Sequence, residues 1–531
     1  MNCKICNQQY NIDSQDKAYY QRINVPEPIY CPTCRQQRRL PWRSERSLHY
    51  RKCDLCGKNH MSSYDQNVSF PVYCLDCYYS DNWDQLKSAR NFDFSRSFFE
   101  QFKELQSVSP RASLFITRGT IENSDYINAA TNMKNSYLVF AAFDSEDCMY
   151  TNWLNKCFNI CDCLEIFNSQ KCYDCVTCDN CYNVKHAQDC RDCRDSSFLI
   201  DCIGCADCFG CSNKRNQKYI FFNEQLSESE YKQKIDQINL INEKEFNEYS
   251  KRFQIIKKNG TYKYYHGYNI EQSIGDYLIN CHNVKDSFDC NGVENSRYCS
   301  RVTDVKECYD YDHFGNYSSE LIYESVSCGV GSSNIKFCSQ VWNKCSEMEY
   351  CDNCLNGSSD CFGCCCLTKK KYCILNKQYN KQEYFKLKEK IIEHMRKTEE
   401  YGIFFPPELC HIPYNESLAQ DFFPLIKEQA LALGFSWHEI DTHHLPSGLV
   451  CNKCRKNFKI IDQEKNFYHD MKIKDPNMCW NCRLEDRLSR KNPRKLCDRQ
   501  CVKCGRDIKT SYTSDRTEIV YCEQCFQKEI Y

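Results

Sequence analysis

The chain is poor in the residues that interrupt regular structure, with 13 prolines and 17 glycines in 531 positions. That scarcity excludes collagen-like and linker-dominated architectures. Also missing are an apolar run long enough to span a membrane and a secretory start, since the opening Met1 to Tyr10 is polar and already holds a Cys-x2-Cys pair. No Walker loop, dinucleotide fingerprint or nucleophile elbow occurs, and Gly329-Val330-Gly331 lacks a third glycine. Neither sign of charge dominates: 70 Lys/Arg face 71 Asp/Glu in a chain that is 41% apolar, enough for several folded domains. The expectation is a cytoplasmic, non-enzymatic protein without membrane insertion.

Cysteine is what the chain has in excess, at 46 residues. In a reducing compartment these thiols are free to hold metal. Cys3, Cys6, Cys31 and Cys34 form two Cys-x2-Cys pairs, and Cys53, Cys56, Cys74 and Cys77 form two more. Each pair bends the backbone so that two sulfurs face one ion, and a hairpin brings up the second pair. Cys451, Cys454, Cys479, Cys482, Cys501, Cys504, Cys522 and Cys525 repeat this pattern, each 448 positions later without a gap. Tyr20 and Tyr468, Arg35 and Arg483, Arg39 and Arg487, and Tyr73 and Tyr521 keep the same offset, so the paired module is a duplication. The expected cofactor is about four structural Zn²⁺ per chain, because four thiolates leave no open catalytic position. Runs such as Cys172, Cys175, Cys178, Cys181 and Cys202, Cys205, Cys208, Cys211 resemble the start of a ferredoxin motif but lack its closing Cys-Pro and last gap, so an iron–sulfur cluster is not expected.

The helix expected after Cys31-Pro32-Thr33-Cys34 is arginine-rich, and Pro41 should end or kink it. Residues 1–77 hold 11 Lys/Arg against 7 Asp/Glu, and 449–531 hold 19 against 12. Arg35, Arg38, Arg39, Arg43, Arg46, Arg51, Arg483, Arg487, Arg494 and Arg499, with Trp42, Tyr50 and Trp480 nearby, are the candidate nucleic-acid contacts. The alternative is pairing with acidic groups in the same chain or in a protein partner. An acidic stretch exists: residues 123–212 carry 6 Lys/Arg against 13 Asp/Glu.

Between Pro110 and Pro406 there is no proline, so backbone donors must be used almost continuously. Cysteines recur there at steps of nine, as in Cys163, Cys172, Cys181, Cys190 and Cys281, Cys290, Cys299, Cys308, often preceded by Asp or Asn and followed by Tyr or Phe. Short repeats of this kind predict a parallel β-solenoid, with two segments of about nine to twelve residues per coil and Cys as a small buried hydrophobe. The stretch Asp207 to Cys211 recurs as Asp360 to Cys364, and Glu230-Tyr231 as Glu383-Tyr384. The fold class expected is mixed and multidomain: duplicated zinc-ribbon or treble-clef modules at both ends, and two central β-solenoids each followed by a helical segment. The boundaries read are 1–80 paired module, 81–122 linker with helix, 123–214 first solenoid, 215–262 helical, 263–374 second solenoid, 375–448 helical, and 449–531 duplicate module.

Other chemistry is sparse. His438-Glu439-Ile440-Asp441-Thr442-His443 resembles a zinc-protease motif, but its histidines are five apart and fall on different helix faces. Cys410 and Cys497 fall outside both patterns.

The segment from Cys31 to Arg46, the Cys53 to Cys77 set, Asn91 to Phe99, the Asp-Cys-aromatic repeats and Tyr414 to Gln420 together resemble a family of large cysteine-rich proteins of uncultured small-genome bacteria. Some members carry a CaiB/BaiF CoA-transferase label, yet nothing here resembles such a site. The resemblance covers nearly the whole chain and implies no activity; Ser44 stands where it leads one to expect Asn. The leading expectation is a zinc scaffold presenting basic modules to nucleic acid, RNA or a ribonucleoprotein being favoured. The alternatives are a protein–protein interaction scaffold and an exported, disulfide-rich structural protein.

Overall fold

The computed structural model describes residues 1–174, 192–312, 318–439 and 448–531, with backbone pairing alone for short strands between. Cys175, Cys181 and His443 lie outside the described residues, and Cys178 and Cys190 are described by their backbone pairing alone. The chain divides into two compact units that interleave in sequence: Met1–Leu114 with Tyr265–Glu439, and Phe115–Tyr264 with Ile440–Tyr531. The N-terminal module therefore belongs with the second cysteine-rich sheet, and the C-terminal module with the first.

In the Phe115–Tyr264 unit, successive strands pair in parallel at a fixed register of twelve residues: Asn128 with Phe140, Asn152 with Leu164, Glu146 with Phe158. The repeat is thus twelve residues long, shorter than the two segments of about nine to twelve expected per coil. The reason lies in the dihedrals. Every third residue has φ near +50°, as at Asn132, Asn135, Asp144, Asp147, Asn159 and Asp162. Such left-handed residues turn the chain, and Asn and Asp tolerate that conformation best. Four such turns fall in each twelve-residue repeat, and the residue after a turn is buried, giving Ile127, Ala130, Met133, then Val139 and Ala142, then Cys148. The sequence steps of nine are three such triplets. Proline is barred by the positive φ and by the ladder, in which Glu146 N donates to Cys157 O (3.0 Å) and Asn168 N to Asn155 O (2.9 Å).

Buried thiols take part in this ladder. Cys157 Sγ donates to Asn155 O and Ile166 O, both at 3.4 Å. Serine fills the same inward slot at Ser145, whose Oγ donates to Phe143 O (2.7 Å) and accepts from Cys157 N (3.0 Å). Outside, corner amides stack: Asn123 Nδ2 donates to Asn135 Oδ1 (2.8 Å) and Asn132 Nδ2 to Asp144 Oδ1 (2.6 Å).

The second sheet follows the same rule less regularly. Its register is twelve at His282 with Glu294, fourteen at Val305 with Ser319, and thirteen at Ser333 with Ser346. Each sheet is closed by an antiparallel two-residue strand and a helix. Glu228–Asp236 opens on a capping box of Ser227 and Glu230, and Lys381–Lys397 on one of Asn380 and Glu383. A second helix, Glu243–Asn259, covers Phe198, Phe209 and Phe222. The linker helix Phe98–Val108 packs in the first unit, where Glu400 accepts from the amides of Phe98 and Phe99 (2.9 and 2.8 Å). Among the described residues no helix is long and apolar enough to cross a membrane.

Candidate metal centres

Four cysteine quartets can hold a metal ion: Cys3, Cys6, Cys31, Cys34; Cys53, Cys56, Cys74, Cys77; Cys451, Cys454, Cys479, Cys482; and Cys501, Cys504, Cys522, Cys525. Within each quartet all sulfurs lie within 4.8 Å of one another. The second pair of every quartet opens a helix, so amides of the first turn face sulfur. Cys31, Cys74, Cys479 and Cys522 are the N-cap residues of Pro32–Arg39, Leu75–Tyr78, Trp480–Arg490 and Glu523–Ile530. Cys31 N donates to Cys3 Sγ and Cys74 N to Cys53 Sγ, both at 3.3 Å.

These amides favour thiolates. The thiol of Cys34 brings Cys31 down to about 5, against burial. Burial pushes Cys451 and Cys501 up, but backbone amides of Cys454 and Cys479, and of Cys522 and Cys504, outweigh it and bring each down to about 6. Within the same quartets Cys34, Cys479, Cys482 and Cys525 are pushed up in turn, so these quartets hold both raised and lowered thiols. In the ladder, burial holds Cys148, Cys290 and Cys299 well above the ordinary thiol range, and Cys157 at about 11. Where ladder sulfurs adjoin, as at Cys205 beside Cys193, Cys202 and Cys208, neighbouring thiols draw one of them down. Among the described residues, no ladder set brings three sulfurs within 4.8 Å of one another, and every described cysteine is a free thiol.

The ten candidate nucleic-acid arginines do not form a solvent-facing platform. Arg35 Nε donates to Asp310 Oδ2 at 2.7 Å, and Arg39 Nη2 meets Asp312 Oδ2 at 2.6 Å, with all four side chains buried. Arg38 Nη2 donates to the carbonyls of Phe404 and Phe405 (2.9 and 3.1 Å). Arg43 pairs with Glu45, and Arg46 Nη2 with Asp421 Oδ1 at 2.5 Å. Arg51 Nη2 donates to Asp54 Oδ2 and its Nη1 to Asp65 O, both at 2.7 Å. In the other unit Arg483 meets Glu464 at 3.0 Å and Asp162 at 3.2 Å, and Arg487 meets Asp162 at 3.1 Å. Arg494 lies 4.0 Å from Glu165, and Arg499 Nη2 donates to Glu518 O at 2.8 Å. Trp42 is fully buried, Trp480 stacks on Phe140 at 5.7 Å, and only Tyr50 is open, at 71% exposure.

The reason for this inward placement is helical spacing. Arg35 and Arg39, like Arg483 and Arg487, are four apart and share the helix face turned to the sheet. Pro41 ends the first helix at Arg39 and starts the tight turn Leu40–Trp42, whereas the proline-free copy continues to Arg490. The acceptors Asp310, Asp312 and Asp162 escaped sequence reasoning, although Asp16 and Glu464 share the 448 offset and mark the same corner of each module.

A fifth convergence, His49 with Glu416 and His438, also places its ligand atoms within 4.8 Å of one another. No family model, curated protein or solved structure matches the chain.

Proposed function

We propose that the chain is a non-enzymatic, zinc-fastened scaffold: two β-solenoids, each held by a pair of zinc-ribbon or treble-clef modules and offering coil faces to protein partners. The observation that carries this reading is the buried fastening made twice, Arg35 and Arg39 to Asp310 and Asp312, and Arg483 and Arg487 to Asp162. Zinc is favoured because tetrahedral Zn–S bonds of about 2.3 Å separate sulfurs by about 3.8 Å. Across the second and third ligands of the quartets the spacings are 3.7 Å for Cys6–Cys31, Cys454–Cys479 and Cys504–Cys522, and 3.9 Å for Cys56–Cys74. Buried paired arginines suit an internal structural role, since an unpaired buried charge is strongly destabilising.

A nucleic-acid reading retains one observation, the open Tyr50 beside exposed Lys52 and Lys58 on basic ends. It would rest on those groups and not on the ten arginines. Elemental analysis of natively purified protein should give about four zinc per chain, and partner capture should survive nuclease. Affinity for mixed RNA that falls steeply as salt rises, with capture abolished by nuclease, would replace the protein partner with nucleic acid.

A further inference from the structure

We propose that His49, Glu416 and His438 form a fifth metal site, of a chemistry distinct from the thiolate quartets: two imidazoles and one carboxylate taking a divalent ion of the zinc, cobalt or nickel class. Glu416 contacts both rings, one with each carboxylate oxygen. His49 Nε2 is 3.1 Å from Glu416 Oε2, and His438 Nδ1 contacts Glu416 Oε1. The ring centroids are 5.5 Å apart and the rings tilt by 63°. Tetrahedral bonds of about 2.0–2.1 Å place N and O ligands about 3.3–3.4 Å apart, so only small side-chain movements would seat an ion among the three.

Each ligand is held by its backbone. His49 opens the strand His49–Lys52, paired with Asn59–Ser62. Glu416 ends the tight turn Tyr414–Glu416, and its carbonyl accepts from Ser47 Oγ at 3.1 Å. His438 is clasped by Asn415, whose Nδ2 donates to His438 O (2.8 Å) and whose Oδ1 accepts from His438 N (3.0 Å). Behind His49, Asp65 Oδ2 lies 3.9 Å from Nδ1, which leaves Nε2 toward the ion in the carboxylate–histidine–metal order. His49 and Glu416 are mostly buried, while the His438 side chain is 34% exposed, so a fourth position opens to water. Imidazole with carboxylate suits a borderline divalent ion; hard Ca²⁺ and Mg²⁺ prefer all-oxygen sets and Cu(I) prefers thiolate.

The site is independent of the quartets, and its test keeps them apart. Natively purified full-length chain, its zinc content measured first, is titrated with Co²⁺ alone. The expected result is uptake of about one further equivalent per chain, with weak visible bands and no thiolate-to-cobalt absorption in the near ultraviolet. Glu416→Gln and His438→Ala should abolish this uptake and leave the zinc content unchanged. No uptake, uptake unaltered in both variants, or a thiolate absorption would overturn the proposal. Should a variant fail to fold, imidazole resonances of the wild-type protein on adding Zn²⁺ decide: two histidines shift if the site exists, none if it does not.

Discussion

The two units use one fastening with acceptors drawn from different places. In the Phe115–Tyr264 unit the buried Asp162 receives Arg483, Arg487 and the hydroxyl of Tyr468 (3.0 Å), and the buried Glu464 is a second acceptor for Arg483 (3.0 Å). In the other unit Asp310 receives Arg35, Asp312 receives Arg39 and Gln36, and Arg38 is bound by two carbonyls. There the linker adds another anchor, Arg111 to Asp352 at 2.5 Å with both side chains buried. The sheets differ in how the acceptors are spaced. In the twelve-residue repeats the corner carboxylates that meet the module, Asp162 and Glu165, then Asp174, come from successive repeats, whereas the fourteen-residue step joining Val305 to Ser319 carries Asp310 and Asp312 together.

The largest effect should come from the metal ligands, where the units are alike. Cys451→Ser and Cys3→Ser should each lower zinc by about one per chain and unfold their own module, given the roughly 10–16 kcal/mol that structural zinc contributes in small domains. Metal analysis with limited proteolysis reads this out. Loss of protection in only one of the two variants would break the symmetry.

Next comes the fastening itself. Asp162→Ala leaves Arg483 with Glu464 but removes the nearest carboxylate of Arg487, and Asp310→Ala leaves Arg39 with Asp312 but strands Arg35, so each should cost about 3–5 kcal/mol. Denaturant unfolding followed by hydrogen exchange within 449–490 and within 1–45 measures both. A loss in one unit with none in the other would break the parallel between the two fastenings.

Smaller still is a pH effect confined to the first unit. His411 sits among Trp42, Tyr64 and Phe70, with ring centroids 5.5–5.6 Å away. Burial, with nearby Arg111 and against Asp352, holds it down to about 3 from its ordinary 6.5. Both folded and unfolded states are neutral there above pH 6.5. Below that, only the unfolded chain takes up the proton, so stability falls with pH by at most about 1.4 kcal/mol per unit until pH 3. In zinc-saturated protein, His411→Phe should flatten the stability profile between pH 6.5 and 5.5; an unchanged slope would remove His411 from the account. Smallest should be Cys157→Ser in the ladder, about 1 kcal/mol, because serine already fills that slot at Ser145.

How far this organisation can be read from residues depends on how local its cause is. The quartets are legible because each ligand pair is local and the 448 offset repeats eight times. The arginine face is legible too, but not its destination, since Arg35 and Asp310 are 275 residues apart and only the interleaving of the units joins them. Steps of nine betray the coil without fixing its length, because any multiple of the three-residue side fits them; the register at Asn128 and Phe140 is what sets twelve. The His49, Glu416, His438 cluster leaves no spacing signal, its parts coming from two distant segments, although His438 stands in the one histidine-rich stretch that resembles a metal motif.

If metal at the ends holds the modules while the repeats stand by their own ladders, hydrogen exchange on the intact chain before and after zinc chelation separates the two. Amides within 1–80 and 449–531 should lose protection in both units, while those in the coils around Asn128–Lys134 and Ser333–Lys336 keep most of theirs. Protection unchanged at the modules, or lost first from the coils, would contradict that division.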